Sequence, residues 1–192
     1  MTRLLRTIQL DRSDTVVFAQ AAEPGEWAVP GTFIFAGRPP ETLSRKEQIA
    51  LRSGFLGVSS FGWSTLAVVT QTQGDDIEQA VMALADQLVR HLGAPGLDAA
   101  LPAAREEITL AAELCRGHDE GTLIALHRRM DESGALREQF RSLKPREDTA
   151  FGAGYLQGHD KAFHFVEMAE DDDEMPGMEI DLRAFGQREE ET

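Results

Sequence analysis

The sequence holds one cysteine, Cys115, among 192 residues. A single thiol forms no intramolecular disulfide, and it falls short of the several thiolates that iron–sulfur clusters and most structural zinc sites require. A lone thiol suits a reducing compartment. Long apolar runs are also missing, since no stretch approaches the ~20 consecutive apolar residues of a membrane helix. The chain opens with Met1-Thr2-Arg3-Leu4-Leu5-Arg6, but Arg6, Gln9, Asp11 and Arg12 break it before the apolar core of a signal peptide can form. The expectation is a cytoplasmic protein with no membrane association and no cofactor.

Positive charge is scarce as well. Nineteen Lys and Arg face 33 Asp and Glu, a net charge of −14, which argues against a nucleic-acid partner, because phosphate contacts need a concentrated positive surface. Catalytic signatures are missing too: there is no G-x-S-x-G elbow and no Walker sequence. Gly152, Gly154 and Gly158 are spaced G-x-G-x-x-x-G, with no strong strand before them and no helix opening after them, so they read as a link and not a phosphate loop. His159 and His164, five residues apart, fall on opposite faces of a strand and about 140° apart on a helix. Cys115 and His118 have C-x-x-H spacing but no second pair to complete a tetrahedral site. No metal site is expected.

What is present suits one hydrophobic core. Hydrophobic residues make up 42% and charged residues 27% of the chain, within the ordinary globular range. The charge is unevenly placed. From Glu167 to Thr192 there are eleven acidic residues and two arginines, a net of −9, which leaves only −5 for residues 1–166. The sequence therefore predicts a single domain over 1–166 and an acidic, largely disordered tail over 167–192.

Within that domain, Leu4 to Leu10, Thr15 to Phe18 and Trp27 to Phe35 read as strands, separated by Asp/Ser and Pro/Gly turns. Pro30-Gly31 suggests a bulge or an edge. Ser44-Arg45-Lys46-Glu47 has capping-box spacing and opens a helix that stops at Gly54. Phe55 to Phe61 is an apolar connection, and Trp63 to Thr72 is a strand. Ile77, Val81, Leu84, Leu88 and Leu92 form one apolar stripe on a helix closed by Gly93. Pro102 starts a second helix, with Ile108, Ala112 and Cys115 on its inner stripe. A last strand is expected at 162–166. Residues 121–143 admit two readings: helices sharing Leu123, Leu126 and Met130, or a hairpin turning at Asp131-Glu132-Ser133-Gly134.

Several stretches carry a resemblance. Arg6-Thr7-Ile8 precedes Ser13-Asp14-Thr15, and Ala22-Glu23-Pro24-Gly25-Glu26-Trp27-Ala28-Val29-Pro30-Gly31 follows. Arg52-Ser53-Gly54-Phe55-Leu56-Gly57 and Gly62-Trp63-Ser64-Thr65 come later. Together, over residues 3–146, they resemble an uncharacterised family of small, mainly alphaproteobacterial proteins classified as a domain of unknown function. The resemblance implies a bacterial cytosolic protein, a hairpin over 121–146, and gene neighbourhoods of molybdenum-dependent formate dehydrogenase maturation. It carries over no catalytic site. The expected fold is α+β, a mostly antiparallel sheet with two main helices packed on one face.

Two features remain as candidates for function. Arg128, Arg129, Arg137 and Arg141 form a basic set; in a hairpin, Arg129 and Arg137 or Arg141 project on one surface and suit carboxylate or phosphate groups. Against this stands a solvated face paired with Asp131, Glu132 and Glu138. Trp27 and Trp63 are candidate pocket residues. The acidic tail reads as a solubilising extension, as a ligand for a basic partner, or as a segment folding back on the arginines. The preferred function is a non-catalytic accessory factor that binds another protein. The alternative is an enzyme or a binder of a small anionic ligand that uses the arginines.

Overall fold

The computed structural model describes residues 2–131 and 134–144, together with Glu167–Met168. The glycine-rich link, both histidines beyond it, the strand expected at 162–166 and the acidic run after Met168 lie outside the described residues. Four strands lead the sheet: β1 (Arg3–Ile8), β2 (Trp27–Val29), β3 (Phe55–Gly57) and β4 (Trp63–Ser64). After them, β5 (Leu66–Gln71) returns to the other side of β1, and β6 (Leu123–Met130), β7 (Leu136–Lys144) and β8 (Glu167–Met168) extend the sheet outward. The order is β4-β3-β2-β1-β5-β6-β7-β8, and every pairing is antiparallel. The helices are α1 (Ser13–Val17), α2 (Arg45–Ser53), α3 (Asp76–Leu92) and α4 (Leu97–Leu114). This is the expected α+β class. α4 packs on β1 and β2, α3 packs on α4, and α2 lies against β6.

Register shows how one sheet face becomes core. Thr7 pairs with Ala67 and Ala67 with Ile124, while Leu5 pairs with both Val69 and Ala28; all of these side chains are buried. Alternation places Leu126 and Arg128 on that same face of β6. The helices meet it with Val81, Leu84 and Leu88 from α3 and Ala104, Ile108 and Ala111 from α4. Gly93 closes α3 at φ 71°, a left-handed cap that only glycine adopts without cost. Cys115 caps the end of α4 and is 1% exposed.

Three local expectations are corrected. Thr15 to Phe18 is not a strand; Ser13–Val17 forms α1. Side-chain hydrogen bonds override β propensity here. Asp11 Oδ1 accepts the Ser13 N–H at 2.7 Å, and Thr15 Oγ1 donates to the Arg12 carbonyl at 2.7 Å. Buried Asp14 then accepts the backbone N–H and the hydroxyl of Thr65, at 3.2 and 2.5 Å, which also splits the strand expected over 63–72 into β4 and β5.

The strand expected from Trp27 stops at Val29. Gly31 turns the chain at φ 73°, and a Cβ there would stand 2.6 Å from the Leu56 Cβ, so only glycine fits. Thr32–Phe35 continues as a 3-10 turn. Finally, α4 starts at Leu97, and Pro102 sits inside it, where its missing N–H leaves one helical bond unmade. Residues 123–144 are the hairpin of β6 and β7, which resolves the open choice at 121–143.

The Glu-Pro-Gly-Glu-Trp block fastens several elements together. The Glu26 carboxylate accepts the backbone N–H groups of Ser59, Ser60 and Glu23 at 2.7, 2.8 and 2.8 Å, and the Ser60 hydroxyl as well. Gln87 of α3 donates to the Ser59 carbonyl. The block thus ties β2 to the 57–62 turn, and that turn to the helix layer. Among the described residues no helix is long and apolar enough to cross a membrane.

Candidate functional site

The two adjacent arginines of β6 point to opposite faces, as period-two alternation requires. Arg128 is 3% exposed, so it does not share a surface with the other candidate arginines. Its Nε donates to Glu138 Oε1 at 2.6 Å and to Thr32 Oγ1 at 2.9 Å, while the Thr32 hydroxyl donates to the same Glu138 oxygen. Its Nη1 reaches the Leu51 and Gly54 carbonyls, each at 3.1 Å, and Nη2 donates to the Pro30 carbonyl. Helix C-termini leave such carbonyls without partners, and a cation suits their negative end. Arg128 is therefore the brace that joins α2, the 3-10 turn and the β6–β7 hairpin. Burial pulls its pKa below the ordinary arginine value, against the neighbouring Glu138 carboxylate, which favours the charged form.

Glu107, half-buried on α4, feels the same brace. Burial raises its carboxyl to about 7, the negative Glu138 adds to the rise, and Arg128 opposes it. Cys115 does not have the setting of a nucleophile; burial pushes its thiol up to about 12.

Arg129, Arg137 and Arg141 lie on the opposite face of the hairpin. Arg129 pairs directly with Arg137, His127 with Gln139, and Ala125 with Arg141. Like charges directly opposite each other in a sheet repel. Asp131 relieves part of this by accepting from Arg137 Nε at 2.8 Å, and Arg141 Nη2 lies 3.4 Å from Gln139 Oε1.

A cleft of about 530 Å³ opens between α2 and the outer part of β6. Gln48, Leu51 and Arg52 line it from the helix, and Arg128 and Met130 from the α2-facing side of the strand, while His127 and Arg129, on the strand's other face, border it, with Glu41 at its lip. The capping box fixes the start of α2: Glu47 N–H donates to Ser44 Oγ at 3.3 Å, and Ser44 N–H donates to Glu47 Oε2 at 2.9 Å. Those bonds and Arg38 draw the Glu47 carboxyl down to about 2. Among the described residues, Arg52, His127 and Arg129 form no ion pair. Leu51 and the 39%-exposed Met130 supply apolar surface beside them. The cleft thus sets the Arg52 guanidinium beside apolar surface, with Arg129 and His127 at its border.

Sequence reasoning reached Arg129, but it did not reach Arg52, Gln48 or His127. They meet only because α2 is braced against β6 across some 75 residues of chain, and no spacing rule spans that gap. The tryptophans lie elsewhere. Trp27 is 9% exposed beneath the Arg6 guanidinium, which stands 3.6 Å from the ring centroid. Trp63 stacks on Phe35 with centroids 5.3 Å apart. Neither lines the cleft between α2 and β6. Among the described residues no three His, Cys, Asp or Glu side chains are grouped to hold a metal ion.

No curated protein and no solved structure matches the chain. A family model does match, over residues 1–155, so the chain that builds this cleft belongs to the family of unknown function DUF6505.

Proposed function

We propose that the protein is a non-catalytic accessory factor of the bacterial cytosol that binds another protein through an acidic segment of that partner. The observation that carries this reading is the cleft between α2 and β6, where Arg52 stands beside apolar Leu51 and Met130 and where His127 and Arg129 border the strand side. The cleft is broad and open, which fits a peptide lying across it better than an enclosed metabolite. Net charge does not oppose the reading, because exposed charges more than ~8 Å apart are largely screened at physiological salt, so the local cations dominate. A role beside redox-enzyme maturation comes from the family resemblance alone.

Fluorescence anisotropy with a labelled Asp/Glu-rich decapeptide tests the proposal. Saturable binding is expected that weakens at least about tenfold in Arg129→Glu and declines as salt rises. The second reading, a small anionic ligand, draws on the same three side chains. Thermal stabilisation by phosphate or citrate, with no binding of the peptide, would favour it and overturn the accessory role.

A further inference from the structure

The cleft beside α2 carries both signs of charge in a fixed order. Gln48, Leu51 and Arg52 stand at i, i+3 and i+4 and so share one face of the helix. Gln48 Nε2 donates to the Leu43 carbonyl at 3.0 Å and to the Pro40 carbonyl at 3.4 Å. Those bonds tie the 3-10 turn Pro40–Thr42, which carries the exposed Glu41, to the Gln48 level of α2. Arg52 lies one helical turn further on, about 6 Å along the axis. Among the described residues neither Glu41 nor Arg52 forms an ion pair, so both charges stand ready for a ligand. Across from them, Met130 of β6 pairs with Leu136 of β7. Leu136 is 1% exposed and Met130 39%, so apolar surface runs from the core out into the cleft.

We propose that the cleft takes an extended triplet of the partner: an acid, a large aliphatic residue and a base in succession. Successive side chains of an extended chain point to opposite sides, and alternate ones stand about 7 Å apart. The middle residue then turns to Met130 and Leu136. Its two neighbours turn to α2, at about the spacing that separates the Gln48 and Arg52 levels of the helix. There the acid meets Arg52 and the base meets Glu41. A uniformly acidic stretch would set one carboxylate against Glu41, and a uniformly basic one would face Arg52. Arg128 adds nothing to the choice, because Glu138 already neutralises it. This inference rests on the partner reading above and narrows it, since it names the residues that the acidic segment presents to the cleft.

Anisotropy titrations of the full chain with three labelled decapeptides test it. All share the same Asp/Glu-containing flanks and differ in a central Glu-Leu-Lys, Glu-Leu-Glu or Glu-Ser-Lys. The Glu-Leu-Lys peptide is expected to bind about tenfold more tightly than the serine peptide, through burial of the leucine. Its advantage over Glu-Leu-Glu is expected to be about threefold, the scale of an exposed charge pair. Met130→Ser should remove most of the first preference, and Glu41→Lys should reverse the second. Equal affinity for all three peptides would overturn the triplet and leave the acidic-segment reading standing. Binding of none of them would overturn both. So would self-association of the chain that is lost in Arg52→Glu, which would assign the cleft to a second copy.

Discussion

Arg128 Nε and Glu138 Oε1 form an ion pair at 2.6 Å with side-chain exposures of 0% and 2%. A pair so removed from water earns little over apolar packing, yet losing one partner strands the other charge. Here the guanidinium also serves three carbonyls at the end of α2 and the carbonyl of Pro30, so its removal leaves several acceptors unsatisfied at once.

Arg128→Met should therefore cost about 3–5 kcal/mol of unfolding free energy, read from urea denaturation at pH 7. The double variant Arg128→Met with Glu138→Leu should recover much of that loss, because no charge is then left buried. A single variant as stable as the wild type would show that the brace contributes nothing. A double variant no better than the single would place the cost in the stranded carbonyls alone.

Glu26 makes a second, independent anchor. Its carboxylate accepts from three backbone amides and one hydroxyl, and hydrogen bonds to a charged group contribute about 1.5–3 kcal/mol each. Glu26→Ala should lower stability by at least about 2 kcal/mol and should speed hydrogen exchange at the Ser59 and Ser60 amides. Unchanged exchange at those two amides would contradict the assigned role.

The sequence made the helices legible because their signals are local. The Ser44/Glu47 box, the α3 stripe and Gly93 each decide structure within a few residues. The 121–143 segment was balanced between hairpin and helix on its own residues, and the resemblance tipped it to the hairpin. What was not legible depends on partners far along the chain. Thr15-Val16-Val17 has strand propensity, but Asp14 is claimed by Thr65 about 50 residues away. Arg128 looked like one more surface arginine, although a signal was present: on a strand with Leu126 facing inward, Arg128 faces inward too. The cleft was half legible. Arg129 belongs to a visible basic cluster, whereas Arg52 reaches it only through the packing of α2 on β6.

Glu107 gives the fold a pH dependence whose sign can be worked out. Its carboxyl is raised to about 7 by burial first and by the Glu138 carboxylate second, with Arg128 opposing and Glu106 adding a little. The unfolded chain titrates near the ordinary 4.5. Between those values the native state holds the proton more tightly than the unfolded chain, so stability falls as pH rises through this window and levels off above it. The full shift corresponds to at most ~3 kcal/mol, and residual solvent around a half-buried group reduces it to about 1–2 kcal/mol. Glu107→Gln keeps the shape and removes the charge. It should flatten the stability profile between pH 5 and about 7.5 and leave the variant more stable than wild type at pH 8. Urea midpoints across that range provide the measurement, and parallel profiles for the two proteins would assign the slope to other groups.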